Sequence, residues 1–511
     1  MRFQTWRPMV FVLAAFAWGL GRTPAFAEDQ PQWGQRHSRN MVSAETGLPA
    51  TFDPKTGQNV KWSIPLGTQT YSTPVIAGGR VLIGTNNERP RDRRRGGDRG
   101  VLMCVDEKDG RLLWQLVVPK LSRNYQDWEG TGICFPPTVE GDRVYVLTNR
   151  GEVACLDLNG QDNGNDGPFQ DEARYLASAS SPPPAVKNVD ADIVWLFDLA
   201  HDLNVKQHDA AHCSILIDGS YLYVCTSNGV DDTHRHIPAP EAPSLVVLDK
   251  ESGRFVAREN EGIGKRTVHC TWSSPSVAEI GGRRLVFFGG GDGVCYAFEA
   301  LVGTPPAAAK ALTCAWRFDC DPTAPKRDIY KFQGNREISP SSITGMPVAV
   351  DGRVYITVGG DIWHGKRQSW LKCVDAASAS DAAPRELWSF AMKSHCVGTP
   401  AVYRDLAFVG DCGRMLHCVD ATTGVAHWKH VTHGELWGSP LVADGKVFVG
   451  TRKGDFWVLA AEKQKRILHR ADFGEPIHAS PVAANKTLYV ATMTRLYAIR
   501  QEDPARKSAP D

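Results

Sequence analysis

One segment recurs along this chain, and no other feature limits the choice of fold as much. From Ser72 the sequence reads STPVIAGGRVLIGT, and from Ser439 it reads SPLVADGKVFVGT. Related lines begin near Pro137, Ser214, Pro275, Pro347, Pro400 and Pro481, which makes eight copies. The last three, at Pro400, Pro440 and Pro481, stand 40 and 41 residues apart, and the earlier spacings of 53 to 77 imply loop insertions on the same unit. A repeat of this length is one supersecondary unit that needs its neighbours to complete a core.

Each unit has an internal order. A Ser/Thr-Pro step leads into a short apolar run. A turn such as Gly78-Gly79, Asp351-Gly352 or Asp444-Gly445 follows, and then a second alternating run. A third run, such as Val101 to Asp106 or Met415 to Asp420, precedes a fourth that is often built around Trp: Trp114, Trp195, Trp316, Trp388 and Trp428. Phe255 takes that slot in the third unit, and Ile467 and Leu468 lie there in the seventh. Two-residue turns and period-2 alternation predict antiparallel strands joined by hairpins. Four strands in about 40 residues predict a propeller blade. The eighth unit stops after its third strand, Thr494 to Arg500, while Val60-Lys61-Trp62-Ser63-Ile64 supplies a strand at the other end. The expected fold is all-β: a single eight-bladed β-propeller of four-stranded antiparallel blades, the last closed by the N-terminal strand. Residues 60–500 form the ring, 28–59 an N-terminal extension and 501–511 a disordered tail.

Residues 1–27 read as a secretory signal peptide. Arg2 and Arg7 precede an apolar stretch from Met9 to Leu20, and Ala25-Phe26-Ala27 is a small-x-small cleavage site. The protein is expected to be exported, periplasmic or secreted, with cleavage after Ala27. No later stretch approaches the ~18 apolar residues of a membrane-spanning helix. With 58 Lys+Arg against 57 Asp+Glu the net charge is +1, which argues against nucleic acid as a partner. A monomer is expected. The 13 cysteines include Cys104, Cys155, Cys373 and Cys418, each before an x-Asp step at one place in the repeat, where they suit a small buried apolar slot. Cys314 and Cys320 flank a strand-like segment, and a bridge between them is left open.

The segments CVDEKDGRLLW (Cys104 to Trp114) and CVDATTGVAHW (Cys418 to Trp428) resemble the tryptophan-docking repeat of quinoprotein alcohol dehydrogenases. The likeness spans roughly Lys61 to Arg500. It implies a propeller whose Trp residues pack between blades, and a face that holds pyrroloquinoline quinone (PQQ) and calcium. YVCTSNG, from Tyr223 to Gly229, resembles the family's calcium-side strand end and would make Asn228 a ligand. Asn228, Trp272 and Trp437 are then the candidate cofactor contacts. The family's Trp-Asp step appears here as Trp272-Ser273, and Ser cannot act as the carboxylate base. Asp231 would be the base if the protein is an enzyme. Glu88 follows a strand end one blade too early for the family's Glu, and Glu152 lies in the right blade without the usual loop.

A second constellation is independent of that resemblance. Tyr71, His212, His269, Trp272, His395, His433, Trp437 and His478 fall just before first strands, where a propeller brings the chain to its channel mouth. With Asp361 and His364 in the loop of blade five, they are candidates for a ligand site on one face, the alternative being aromatic packing and capping hydrogen bonds around the channel rim. His208 and His212 have i,i+4 metal-ligand spacing, and Asn228 is the third metal candidate. Asp162 to Glu172 is rich in calcium-type oxygens but fails the EF-hand register. Arg89 to Arg99 carries six Arg, read as a solvated loop or a grip on an anionic partner. Three functions compete: a ligand- or protein-binding module, with the partner an unknown ligand or envelope protein on the loop-rich face; a PQQ- and calcium-dependent dehydrogenase; and an envelope assembly scaffold.

Overall fold

The computed structural model describes residues 1, 28–121, 123–177, 182–377 and 384–501. Residues 2–27 of the expected signal peptide and 502–511 of the expected tail lie outside them. The strands form eight separate sheets arranged as propeller blades. Blade one consists of Val75–Ala77, Arg80–Asn86, Arg99–Asp106 and Leu112–Pro119, each strand antiparallel to the next. Blades two to seven repeat that order. In blade eight, Val60–Pro65 pairs with Arg495–Ile499, so the expected closure is formed. Blade three has an added edge: Lys310–Ala311, from the loop of blade four, runs parallel to Phe255–Arg258. No helix among the described residues is long and apolar enough to cross a membrane.

The repeat residues explain the stacking of the blades. Cys104, Cys155, Cys373 and Cys418 stand directly opposite Trp114, Trp195, Trp388 and Trp428 across the third and fourth strands. All four cysteines are buried. The register slips just past each pair, and the third-to-fourth-strand pairing of every other blade slips as well. Such a bulge bends the strand and re-aims its side chain. The turn that follows is fixed by its Asp: Lys108 N donates to Asp106 Oδ1, and Gly110 N donates to the Asp106 carbonyl. Gly110 has φ +77°, and a Cβ there would come 3.0 Å from the Trp62 ring. Gly160, Gly253 and Gly424 face Trp114, Trp195 and Trp388 in the same way. Trp114, Trp195 and Trp388 therefore pack against the glycine of the next blade, and Trp62 does the same across the closure from blade eight to blade one. Its Nε1 donates to the Glu107 carbonyl at 3.0 Å, as Trp114 Nε1 does to Leu158 O at 2.9 Å.

This packing predicts that Trp114→Ala costs about 3–5 kcal/mol, the usual loss for a fully buried Trp. Trp114 is 1% exposed, its ring fills the space over Gly160, and alanine would leave the Leu158 carbonyl unpaired. Chemical denaturation of the purified variant measures the loss. A change under about 1 kcal/mol would contradict the docking role.

The cysteines are all free thiols. Cys314 and Cys320 cannot bridge: they lie at the two ends of the strand Cys314–Asp319, about 20 Å of extended chain, whereas a disulfide needs Cα atoms within about 7 Å. The Arg-rich loop is not a free cationic run either. Arg95 is buried and pairs with Asp190 at 2.7 Å, Arg99 donates to Leu176 O, and Arg91 donates to Pro65 O. These side chains fasten the loop of blade one to blades two and eight.

The extension of residues 28–59 does more than lead into the ring. Its backbone and side chains hydrogen-bond to the innermost strands of seven blades. Ile76 N donates to Gln30 O, Val139 N to Pro31 O, Val277 N to His37 O, Ser43 N to Val442 O and Asn485 N to Glu28 O. Asn40 pairs both ways with the backbone of Val402. Arg39, fully buried, donates to Pro275 O, Trp33 O, Ser214 O and Ser214 Oγ at 2.8–3.1 Å. The segment is a plug in the central channel.

Candidate functional site

The plug leaves a cavity one step along each innermost strand, enclosing about 130 Å³. Its wall comes from a single register of the repeat, the residue three places before the Pro position. Tyr71, Cys134, His212, Trp272, Thr344, Val397, Trp437 and His478 occupy that place in blades one to eight, and all eight line the cavity, with Phe135 beside Cys134. Trp33 of the plug and Asp361, Ile362 and Trp363 of the blade-five loop complete it. The rings form a nearly continuous belt. Phe135 meets Trp33 at 5.5 Å and His212 at 4.7 Å between centroids. His212 meets Trp272 at 4.8 Å, and Trp363 bridges Trp272 and Trp437 at 5.6 and 6.1 Å. His478 joins Trp437 to Tyr71 at 5.0 and 5.2 Å. Burial holds the pKa of both His212 and His478 down to about 3, with smaller contributions from His269 on the first and Arg452 on the second. The wall is therefore uncharged at neutral pH, apart from Asp361. For that carboxyl burial acts upward, and the nearby His269 brings it down to about 2.

Of the remaining residues singled out from the sequence, His395 lines an adjoining open recess with Arg336, Arg367, Arg414 and Arg452. His433 is exposed on the rim, 6.2 Å from the Trp457 ring. His269 and His364 belong to a separate imidazole cluster just behind Trp272 and Trp363. There His208 Nε2 lies 3.1 Å from His234 Nε2, and one nitrogen from each of His208, His234 and His269 falls within 4.8 Å of the other two. His364 stacks on His234 at 4.4 Å. His269 Nδ1 lies 3.2 Å from Asp361 Oδ2 without hydrogen-bond geometry. Gly229 permits this approach, since a Cβ there would lie 2.6 Å from His269 O and 2.9 Å from His208 Cβ.

His212 does not join His208; its ring points to Phe135 and Trp272 instead. Asn228 is fully buried, its Oδ1 accepts from Lys206 N at 3.0 Å, and its Nδ2 donates to Ala239 O at 3.0 Å. It ties down the segments on either side of His208. Asp231 Oδ1 is capped by the backbone and hydroxyl of Thr233. Ser273 is buried with its Oγ on Gly345 O, Glu88 bonds Thr68, and Glu152 is buried against Tyr175 and Thr148. These oxygens do not form a calcium cradle, so the donor set of the quinone enzymes does not fit here. In the Asp162–Glu172 insertion, Asp166 approaches Asp157 and Asp192.

Sequence reasoning missed Phe135 and Trp33. The offset was a legible signal for Cys134, which precedes Pro137 as Tyr71 precedes Pro74, but Phe135 stands one place past it. Trp33 lies outside the repeat and left no such signal.

Residues 367–506 match the protein family described as outer membrane protein assembly factor BamB. No curated protein matches the chain. Among solved structures, a quinohemoprotein alcohol dehydrogenase from Pseudomonas putida HK5 is similar at 12% identity and TM-score 0.55, covering 94% of this chain and 82% of that one. The computationally designed Ika8 protein is similar at 10% identity and TM-score 0.50, covering 86% of this chain and 99% of that one. BamB from Moraxella catarrhalis is 15% identical with TM-score 0.49, covering 85% of this chain and 98% of that one. At these identities the likeness is one of fold.

Proposed function

Starting from a β-propeller of PQQ-like repeats, we propose that the protein is an exported binding module whose loop-rich face takes a small, flat, largely apolar group into the aromatic cavity. One observation carries this reading: the same repeat position supplies one side chain from each of eight blades to one wall, five of the eight are aromatic or imidazole rings, and Phe135 adds a ring beside them. Ring packing alone does not need the wall to surround a space. Rings prefer partners at about 4.5–7 Å, which a flat guest between them satisfies. At about 130 Å³ the cavity is smaller than the usual ~300–1,000 Å³ of a drug-sized site. It suits one ring or one protruding side chain. Export is supported by the charged start, apolar stretch and Ala25-Phe26-Ala27 step of the sequence.

The test is a titration of intrinsic Trp fluorescence with a panel of single-ring aromatic and cyclic aliphatic compounds. Saturable quenching is expected. Trp437→Ala is expected to weaken the best binder at least about tenfold, since interface Trp truncations commonly cost ~2 kcal/mol or more. Binding unchanged in a folded Trp437→Ala protein would place the guest elsewhere.

A further inference from the structure

We propose that His208, His234 and His269 hold a divalent ion of the zinc type beside the cavity. The three rings come from different segments: the lead into blade three, the loop after its second strand, and the lead into blade four. Chain folding brings their nitrogens within 4.8 Å of one another. The tautomer of His208 is fixed, because its Nδ1 faces the Val230 carbonyl at 2.7 Å and a carbonyl can only accept. Its Nε2 therefore presents a lone pair, and that lone pair points at His234 Nε2, 3.1 Å away. Two imidazole nitrogens so placed need a proton or a cation between them. Around a tetrahedral zinc with Zn–N of about 2.05 Å, neighbouring nitrogens stand about 3.3 Å apart. The pair is already near that spacing.

His269 supplies the second, independent sign. It is 3% exposed, and neither ring nitrogen has a hydrogen-bond partner. Buried polar atoms without partners are uncommon and point to a missing one. Asp361 Oδ2, 3.2 Å from His269 Nδ1, stands where an outer carboxylate would orient a ligating imidazole. Asp209 Oδ1, 3.3 Å from His208 Nε2, adds negative charge on the same side. Imidazole donors favour zinc, copper or nickel over calcium and magnesium. The proposal goes beyond the aromatic cavity and stands whether or not that cavity takes a guest.

The test uses the full chain, stripped with a chelator and titrated with zinc by calorimetry, then with cobalt(II) as a spectroscopic stand-in. One equivalent of zinc is expected, with the visible absorption of four-coordinate cobalt. His234 is only partly buried, so His234→Gln should fold and is expected to weaken zinc by about 100-fold or more, beyond the ~10–100-fold typical of outer-shell changes. Asp361→Asn is expected to weaken it within that smaller range. Asp166→Asn, in the carboxylate trio with Asp157 and Asp192, is expected to leave the equivalent in place. Absence of zinc binding by the native chain overturns the proposal. So does unchanged affinity in His234→Gln, or loss of the equivalent in Asp166→Asn.

Discussion

A protein lacking residues 28–66 is expected to be recovered as aggregate, without a cooperative unfolding transition. Two independent losses combine. Without Val60–Pro65, the strand Arg495–Ile499 has a free edge, and an unpaired, largely apolar edge recruits other chains. Without residues 28–43, the inner strands of seven blades lose the plug's hydrogen bonds, among them Gln30 to Ile76, Pro31 to Val139 and Asn40 to Val402. Loss of Trp62 also uncovers Gly110, which breaks the series of Trp-on-glycine contacts at the closure. Solubility after expression, followed by thermal denaturation of any soluble fraction, measures the outcome. A soluble protein with a single sharp transition would mean that the ring closes without its N-terminal strand.

Arg39→Met is expected to destabilise the protein by about 5 kcal/mol, a loss reached by few single substitutions. Arg39 is fully buried, and it holds three backbone carbonyls, Trp33, Ser214 and Pro275, together with the Ser214 hydroxyl. Burial pulls its pKa down to about 10, so the guanidinium remains charged at neutral pH. Methionine can fill the volume but cannot donate. Each orphaned carbonyl costs about 1–3 kcal/mol, and three are left. Arg36→Met is the control: Arg36 is exposed, pairs with Glu140 at 3.0 Å on the surface, and its loss is expected to cost under about 1 kcal/mol. Urea denaturation of both variants decides the matter. Equal, small losses would show that Arg39 is not what joins the plug to blades three and four.

The architecture was legible because it is written eight times. A Pro, a two-residue turn and a Trp recur with the strand period, and the displaced Trp62 marks the closure. The plug was not legible, because residues 28–59 have no period and act through backbone bonds. Their partners lie as far away as Val402, Val442 and Asn485. The cavity wall was partly legible: Tyr71, His212, Trp272, Trp437 and His478 were read as one face, but the common offset that adds Cys134, Thr344 and Val397 was not. The imidazole cluster was harder. His208 stood out by its spacing to His212, yet i,i+4 proximity requires a helix, and this stretch folds as a turn between strands. The partners that matter, His234 and His269, come from an insertion and from the next blade. Asn228 shows the limit of motif likeness, since its position after a strand end is also where a buried amide best pins two neighbouring segments.

The wall of the cavity is a set of eight addresses with one letter at each. Tyr71, Cys134, His212, Trp272, Thr344, Val397, Trp437 and His478 precede the inner strands and stand outside their hydrogen-bonded ladders. Four of the blade junctions are instead packed by Trp-on-glycine contacts of the outer turns, and along the axis the plug joins the inner strands. The cavity wall and the packing between blades are thus carried by different residues of the same repeat. A chain of this design can be rewritten at the mouth, ring for hydroxyl or imidazole for aliphatic, one blade at a time, while its scaffold keeps the stability on which each trial depends. Thr344 of blade five and Val397 of blade six, standing among rings, show that a blade forms without a ring at this position.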